Sequence, residues 1–333
     1  MNTMLRTFLA FAVLSPLCAQ QQATTLLRLT AQADAVAIAT AVGQSDPSPE
    51  WHRVEFRTDE TLSGSIGSSF AALEPAGRCC GNALFSVEPG SQYLVFLARR
   101  GSAVHPLGGD RGILSASPEL VAHVRALVAA KGDARRETSL LAASLQHQDE
   151  RIGTDAALAL AAHAAPATDA EAKASLRAAL RRDAETPTTK LPALAAATAR
   201  AEGPDAADCI VPLYLETPAD DAATALQRAL LSLPAESVAA AARRCNLADE
   251  TAALRTASLF EERAHPSQLD LLQRMLQSAK RPKVAAAVTQ AMLAHDVSEE
   301  SLRHRVPDAV LQVAKSRRKE REAGSLPGAA PVR

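Results

Sequence analysis

GRCCGNALFSVEPGSQYLVFL, residues Gly77 to Leu97, contains the strongest apolar run in the chain, and its reading decides the fold of the first third. Tyr93 to Leu97, YLVFL, is apolar at every position, so a strand there has no face to offer water and must be the most buried one. Just before it, Glu88-Pro89-Gly90-Ser91 places Pro where a type II turn fixes φ and Gly where the turn needs positive φ. Working outward, Trp51 to Leu62 alternates Val54, Phe56 and Thr58 with Arg53, Glu55 and Arg57, one side for a core and one for solvent. Asp34 to Val42 alternates Val36, Ile38, Thr40 and Val42 with alanines, again with a period of two. Ser63-Gly64-Ser65 reads as a turn, Ser68 to Leu73 as a short strand and Arg111 to Ser115 as a last one. Short strands with regular turn signals and no helix between them predict a small antiparallel barrel or sandwich.

The N-terminus, MNTMLRTFLAFAVLSPLCAQQQ, has Arg6, an apolar stretch from Phe8 to Leu14, Pro16 and then Leu17-Cys18-Ala19, the pattern of a signal peptide over residues 1–19. The apolar run is too short to span a bilayer, so no transmembrane span is expected after its removal. Export is the expectation, to the periplasm or the exterior. Cleavage after Ala19 removes Cys18 and leaves Cys79, Cys80, Cys209 and Cys245. A net charge of −1 gives no global bias toward nucleic acid or membrane surfaces.

From Thr138 the punctuation changes to short Ala/Leu-rich segments broken by Asp, Pro and Gly. Segments beginning at Asp155, Lys190, Asp221, Glu250 and Lys283 start 29 to 35 residues apart, and each follows another apolar segment. That irregular period predicts stacked helix pairs, with a compact non-repetitive bundle as the alternative. Ser117 before Pro118, Thr154, and Thr217 before Pro218 are the expected N-caps. In this register the residue equivalent to Cys209 is 238, and Cys245 lies seven positions further on. Seven residues separate two sulfurs by roughly 10 Å along parallel helices, beyond the about 7 Å that a disulfide spans, so two separate thiols are expected. Past Ala314, KSRRKEREAGSLPGAAPVR reads as a solvated helix end and a basic, disordered tail, residues 315–333.

No pattern for catalysis stands out. The eight histidines are scattered without a His-x-x-x-His pair, and no Cys-x-x-Cys occurs. Gly64-Ser65-Ile66-Gly67 is not a nucleophile elbow, and Gly108-Gly109-Asp110 is a turn. No cofactor or metal is implied. Cys79 and Cys80 are adjacent, without the two-residue spacing of a redox motif and without further zinc ligands at hand. In an oxidising compartment they read as a staple, either a vicinal disulfide or one bond from this loop to a distant cysteine.

ADAVAIATAV at Ala33, VEFRTDETLSG at Val54, CG at Cys80 and GSQYLVFL at Gly90 together resemble, in order and spacing, the netrin-like domain shared by tissue inhibitors of metalloproteinases and secreted bacterial proteins. The resemblance implies an OB-type barrel over residues 20–131 with flanking helices at Ala23 to Gln32 and Pro118 to Ala130. It also implies a bond from the Cys79-Cys80 loop to a cysteine near the mature N-terminus, a place only Cys18 could fill. The inhibitors of that family begin with a Cys-x-Cys that chelates the target's zinc, and here Cys18-Ala19-Gln20 lacks the second cysteine. DERIGTDAALAL at Asp149 resembles the turn and second helix of a HEAT repeat, which implies HEAT-like repeats over residues 132–314. The expectation is therefore an α+β multidomain protein, a small antiparallel OB-type β-barrel followed by an all-α helical-repeat array. Its expected role is non-catalytic: binding another protein or an envelope component, and not nucleic acid. A protease inhibitor acting through the barrel is the alternative, and a hydrolase whose carboxylates converge only in the fold is a third.

Overall fold

A computed structural model of the chain describes residues 24–48, 51–75, 87–101, 103–163 and 168–324. The chain divides into two compact units, Met1–Val121 and Ala122–Arg333, each considered by itself. In the first unit, strands β1 (Ala35–Ser48), β2 (Trp51–Gly64), β3 (Ser69–Pro75), β4 (Gln92–Arg100), β5 (Ala103–Pro106) and β6 (Ile113–Ser115) form one sheet in the order β1-β2-β3-β5-β4-β6. A further pairing of β1 with β4 closes the first five into a ring, an OB-type barrel. Helix α1 (Leu26–Gln32) precedes it, its first turn capped by Thr25, and α2 (Pro118–Ala130) begins at its end. Ser117 caps α2 by accepting the Leu120 N–H at 3.2 Å, as its sequence implies.

The barrel differs from the expected one in two respects: Ala103–Pro106 forms a strand, β5, where none was expected, and β5 runs parallel to β3, through Ala72 and Val104, while the other pairings are antiparallel. β1 pairs with β2 along its whole length and with β4 along its first half, and four register shifts bend it enough to do both. The interior is filled by Val54, Phe56, Ala72, Tyr93, Val95 and Leu97, with Phe70 stacked on Phe56 at 5.2 Å between ring centroids. Tyr93 crosses Phe56 edge-on, and its hydroxyl accepts the Glu88 N–H at 2.8 Å. β4 has β1, β5 and β6 as partners, and Leu94 to Leu97 are fully enclosed on both faces. The turn ahead of it takes the predicted form, with Gly90 at φ +87° and the Ser91 N–H bonded to the Glu88 carbonyl. Gly64 also has positive φ, and a Cβ there would sit 1.9 Å from the Asp34 carbonyl oxygen, so the end of β2 lies hard against the start of β1.

The second unit is an array of antiparallel helix pairs. Its first-of-pair helices are α3 (Ala134–Ser144), α5 (Ala170–Glu185), α7 (Ala207–Glu216), α9 (Ala235–Ala242), α11 (Leu269–Ser278) and α13 (Glu299–Arg303). The second-of-pair helices are α4 (Glu150–His163), α6 (Leu191–Glu202), α8 (Asp220–Ser232), α10 (Glu250–Glu262), α12 (Pro282–Ala294) and α14 (Asp308–Gly324). Members of one row pack on each other, α3 on α5 on α7 on α9, and α4 on α6 on α8. α10, α12 and α14 pack on one another in turn, and α10 packs on α7, so the units stack as an array and not as a closed bundle. α6 is buried almost all round, and its alanines at 193, 195, 197, 199 and 201 let neighbouring backbones approach closely.

A recurring arginine links successive second helices. Arg200 of α6 donates to the Ala162 carbonyl at the end of α4, Arg263 after α10 to Leu231 and Leu233 at the end of α8, and Arg318 of α14 to Leu293 at the end of α12. These carbonyls lack intrahelical partners, and a cation there also meets the negative end of the helix dipole. Arg255 of α10 does the same across rows: it donates to Tyr214, Leu215 and Thr217 at the end of α7 while lying over the Tyr214 ring.

Two expected caps are corrected. Thr154 lies inside α4, which starts earlier because the Asp149 carboxylate takes the Arg151 N–H at 2.8 Å. Thr217 closes α7 and does not open α8; its hydroxyl is turned inward to the Ala184 carbonyl. The basic run expected as a tail continues α14 to Gly324, held by Lys315 on Glu299 at 2.9 Å and by the Arg318 bond to Leu293.

Candidate functional site

The helical unit holds a groove of about 880 Å³ between the α9–α10 turn, the start of α10, the length of α11 and the start of α12. Sequence and packing together make it. α9 stops after Ala242, and the turn that follows, Arg243 to Asp249, runs without regular helix before Asp249 caps α10 by accepting the Ala252 N–H at 2.9 Å. α11 ends at Ser278, and Pro282 starts α12 where a missing N–H costs nothing.

The floor is apolar: Ala253, Leu271, Met275 and Val284 line the groove and are buried. The rim is charged, with Arg243, Arg274, Lys280 and Arg281 against Asp249 and Glu250. Glu250 is ion-paired with Arg281, and Arg274 with Asp270 at 2.9 Å on the same helix. Arg243 donates to the Ser267 carbonyl, a neutral partner. Lys280 is exposed and has no ion-pair partner among the described residues. The N-termini of α10 and α12 both open here, and that of α12 has no side-chain cap.

Cys245 lines the same groove, half-buried, its thiol donating to the Ala241 carbonyl. Burial and then the nearby Glu216 charge push its pKa up. A thiol held protonated is a poor nucleophile, and beside it the groove offers an apolar floor and a cationic rim. Cys209 is likewise free, its pKa pushed up to about 11 by burial and by the Glu202 carboxylate, so the two thiols are unlinked as the repeat register implies.

Cys79, Cys80 and Cys18 lie outside the described residues. The described histidines meet at most in pairs, His123 near His147 and His265 near His295. His52 is buried on β2, His105 on β5 approaches the Leu73 carbonyl at 3.4 Å, and His265 meets Glu236 at 3.1 Å. Among the described residues no group of three or more His, Cys, Asp or Glu side chains comes together as metal ligands, and no helix is long and apolar enough to cross a membrane. Glu202, with its side chain buried, pairs with the half-exposed Arg177 through two hydrogen bonds of 2.5 and 2.7 Å and joins α5 to α6.

The groove was not legible in the sequence, because its walls come from positions 243 to 284 across two helix pairs. The one local signal is Lys280-Arg281-Pro282-Lys283, three cations around the proline that starts α12. No family model, no curated protein and no solved structure matches this chain.

Proposed function

We propose that this is an exported interaction protein, in which a netrin-like barrel and a HEAT-like array present surfaces to another protein or an envelope component. The observation that carries the proposal is the groove of about 880 Å³, a volume in the range that encloses a ligand, walled by two successive helix pairs. Stacked helix pairs expose inter-repeat surfaces of this kind along their length. The closed strand order and the helices α1 and α2 on either side of it support the netrin-like reading. The repeated helix pairs with their arginine links support the HEAT-like one. Export rests on the Arg6-to-Ala19 pattern of the sequence.

The test is photo-crosslinking in the native source. A photoreactive residue replaces Lys280 at the groove or, as control, the exposed Arg228 on α8. A discrete adduct from position 280 and none from 228 is the expected result. No adduct, or the same adducts from both, would overturn the proposal. Mass spectrometry of the exported chain should find Gln20 at its N-terminus, and a retained leader would remove the export reading.

A further inference from the structure

We infer that the groove takes an acidic peptide segment that carries a bulky apolar side chain, an inference that rests on reading the groove as a contact site. The charge argument comes first. Four cations and two carboxylates line the groove, and both carboxylates are already engaged, Asp249 by the backbone of α10 and Glu250 by Arg281. Arg243 is bonded only to a carbonyl and Lys280 to no acid, so the charges at the opening left without an ionic partner are these two cations against the single helix-capping carboxylate of Asp249, a positive balance. The Arg274–Asp270 pair is exposed at both ends, so water competes with it and its guanidinium can turn to an incoming carboxylate at little cost. The starts of α10 and α12 add the positive ends of two 13-residue helices to the same opening.

The second argument concerns the floor. Leu271 and Met275 of α11, with Ala253 of α10 and Val284 of α12, give the groove a buried apolar lining, which offers an apolar side chain a place to leave water. Methionine adapts to different shapes better than branched residues do. A polyanion without apolar groups would satisfy the rim and leave the floor wet. A peptide alternating acidic and apolar residues satisfies both, and complementary charge gives it orientation and a fast approach.

The experiment uses the full exported chain and a fluorescein-labelled peptide of alternating glutamate and leucine. Its counterparts carry lysine for glutamate or alanine for leucine, and polyphosphate serves as a competitor. The glutamate–leucine peptide should bind, weaken with added salt, and lose about tenfold in affinity with Lys280→Glu and less with Lys280→Ala. Arg228→Glu, the same charge change away from the groove, should leave binding unchanged. Equal binding of the lysine peptide, no loss on replacing leucine by alanine, polyphosphate competing as well as the peptide, or equal sensitivity to Arg228→Glu would each overturn the inference. Absence of peptide binding also overturns it, and the crosslinking result then decides separately: a persisting adduct at position 280 keeps the contact site and discards the acidic ligand.

Discussion

The stability of the helical unit should fall between pH 6.5 and 4 because of one buried imidazole. His123 of α2 is 7% exposed and its Nδ1 lies 3.3 Å from the Ser144 hydroxyl. That hydroxyl already donates to the Leu140 carbonyl at 2.8 Å, so it accepts from a protonated Nδ1, and Nε2 is left buried without a partner. A second proton on Nε2 would be a buried cation with nothing to receive it, and desolvation, then the His147 charge, lowers the pKa to about 4 from an ordinary 6.5. The folded state thus resists a proton that the unfolded chain takes up. The contribution is complete above pH 6.5, is lost as pH falls toward 4, and changes no further below that. From pH 8 to pH 5 the loss is about 2 kcal/mol, at about 1.4 kcal/mol per pH unit below 6.5. The assay is urea unfolding followed by far-UV circular dichroism, which reports the helices, with fluorescence of the single Trp51 reporting the barrel. Wild type should lose about 2 kcal/mol more over this range than His123→Leu, since carboxylate titration is common to both and cancels. Parallel curves for the two proteins would refute the assignment of a neutral, unpartnered His123.

Val95→Asp should unfold the barrel and leave the helical signal standing, since Val95 has no exposure and an unpaired carboxylate inside the ring costs several kcal/mol; a wild-type Trp51 fluorescence transition would contradict this. Arg255→Ala should cost about 2–3 kcal/mol, because three carbonyls at the end of α7 lose their donor and Tyr214 loses its cation. Arg255→Lys should recover only part, because the shorter side chain gives up the planar guanidinium over the Tyr214 ring along with part of its reach to these carbonyls, and equal stability of wild type and Arg255→Lys in urea would remove that account. Non-reduced peptide mapping should give no linked Cys209/Cys245 peptide, and Cys209, with its pKa near 11, should alkylate slowly at pH 8; rapid labelling or a linked peptide would show the register or the burial to be misjudged.

What local chemistry dictates was readable before any coordinates. YLVFL could only be a strand covered on both sides, Pro89-Gly90 could only turn in one way, and the Val54/Phe56 against Arg53/Glu55 alternation fixed which side of β2 faces the core. The helix pairs were readable for the same reason: their periodicity and their breaks are properties of neighbouring residues. Other features depended on partners distant in the chain. In β1 the larger side chains look like the core face, yet the barrel interior holds Ala35, Ala37, Ala39 and Ala41, because the space beside Phe56 and Tyr93 admits only small groups, while Val36 and Ile38 are buried on the outer face. β5 is four residues with a proline, too little for a period, and becomes a strand only because β3 and β4 leave an open pair of edges that it closes. Thr154 and Thr217 have good capping chemistry, but Asp149 starts α4 sooner and Thr217 is claimed by Ala184 of a different helix pair. The groove belongs wholly to this second kind: Arg243, Met275 and Lys280 are ordinary surface and core residues in sequence, and only the stacking of α9–α10 on α11–α12 sets a cationic rim above an apolar floor.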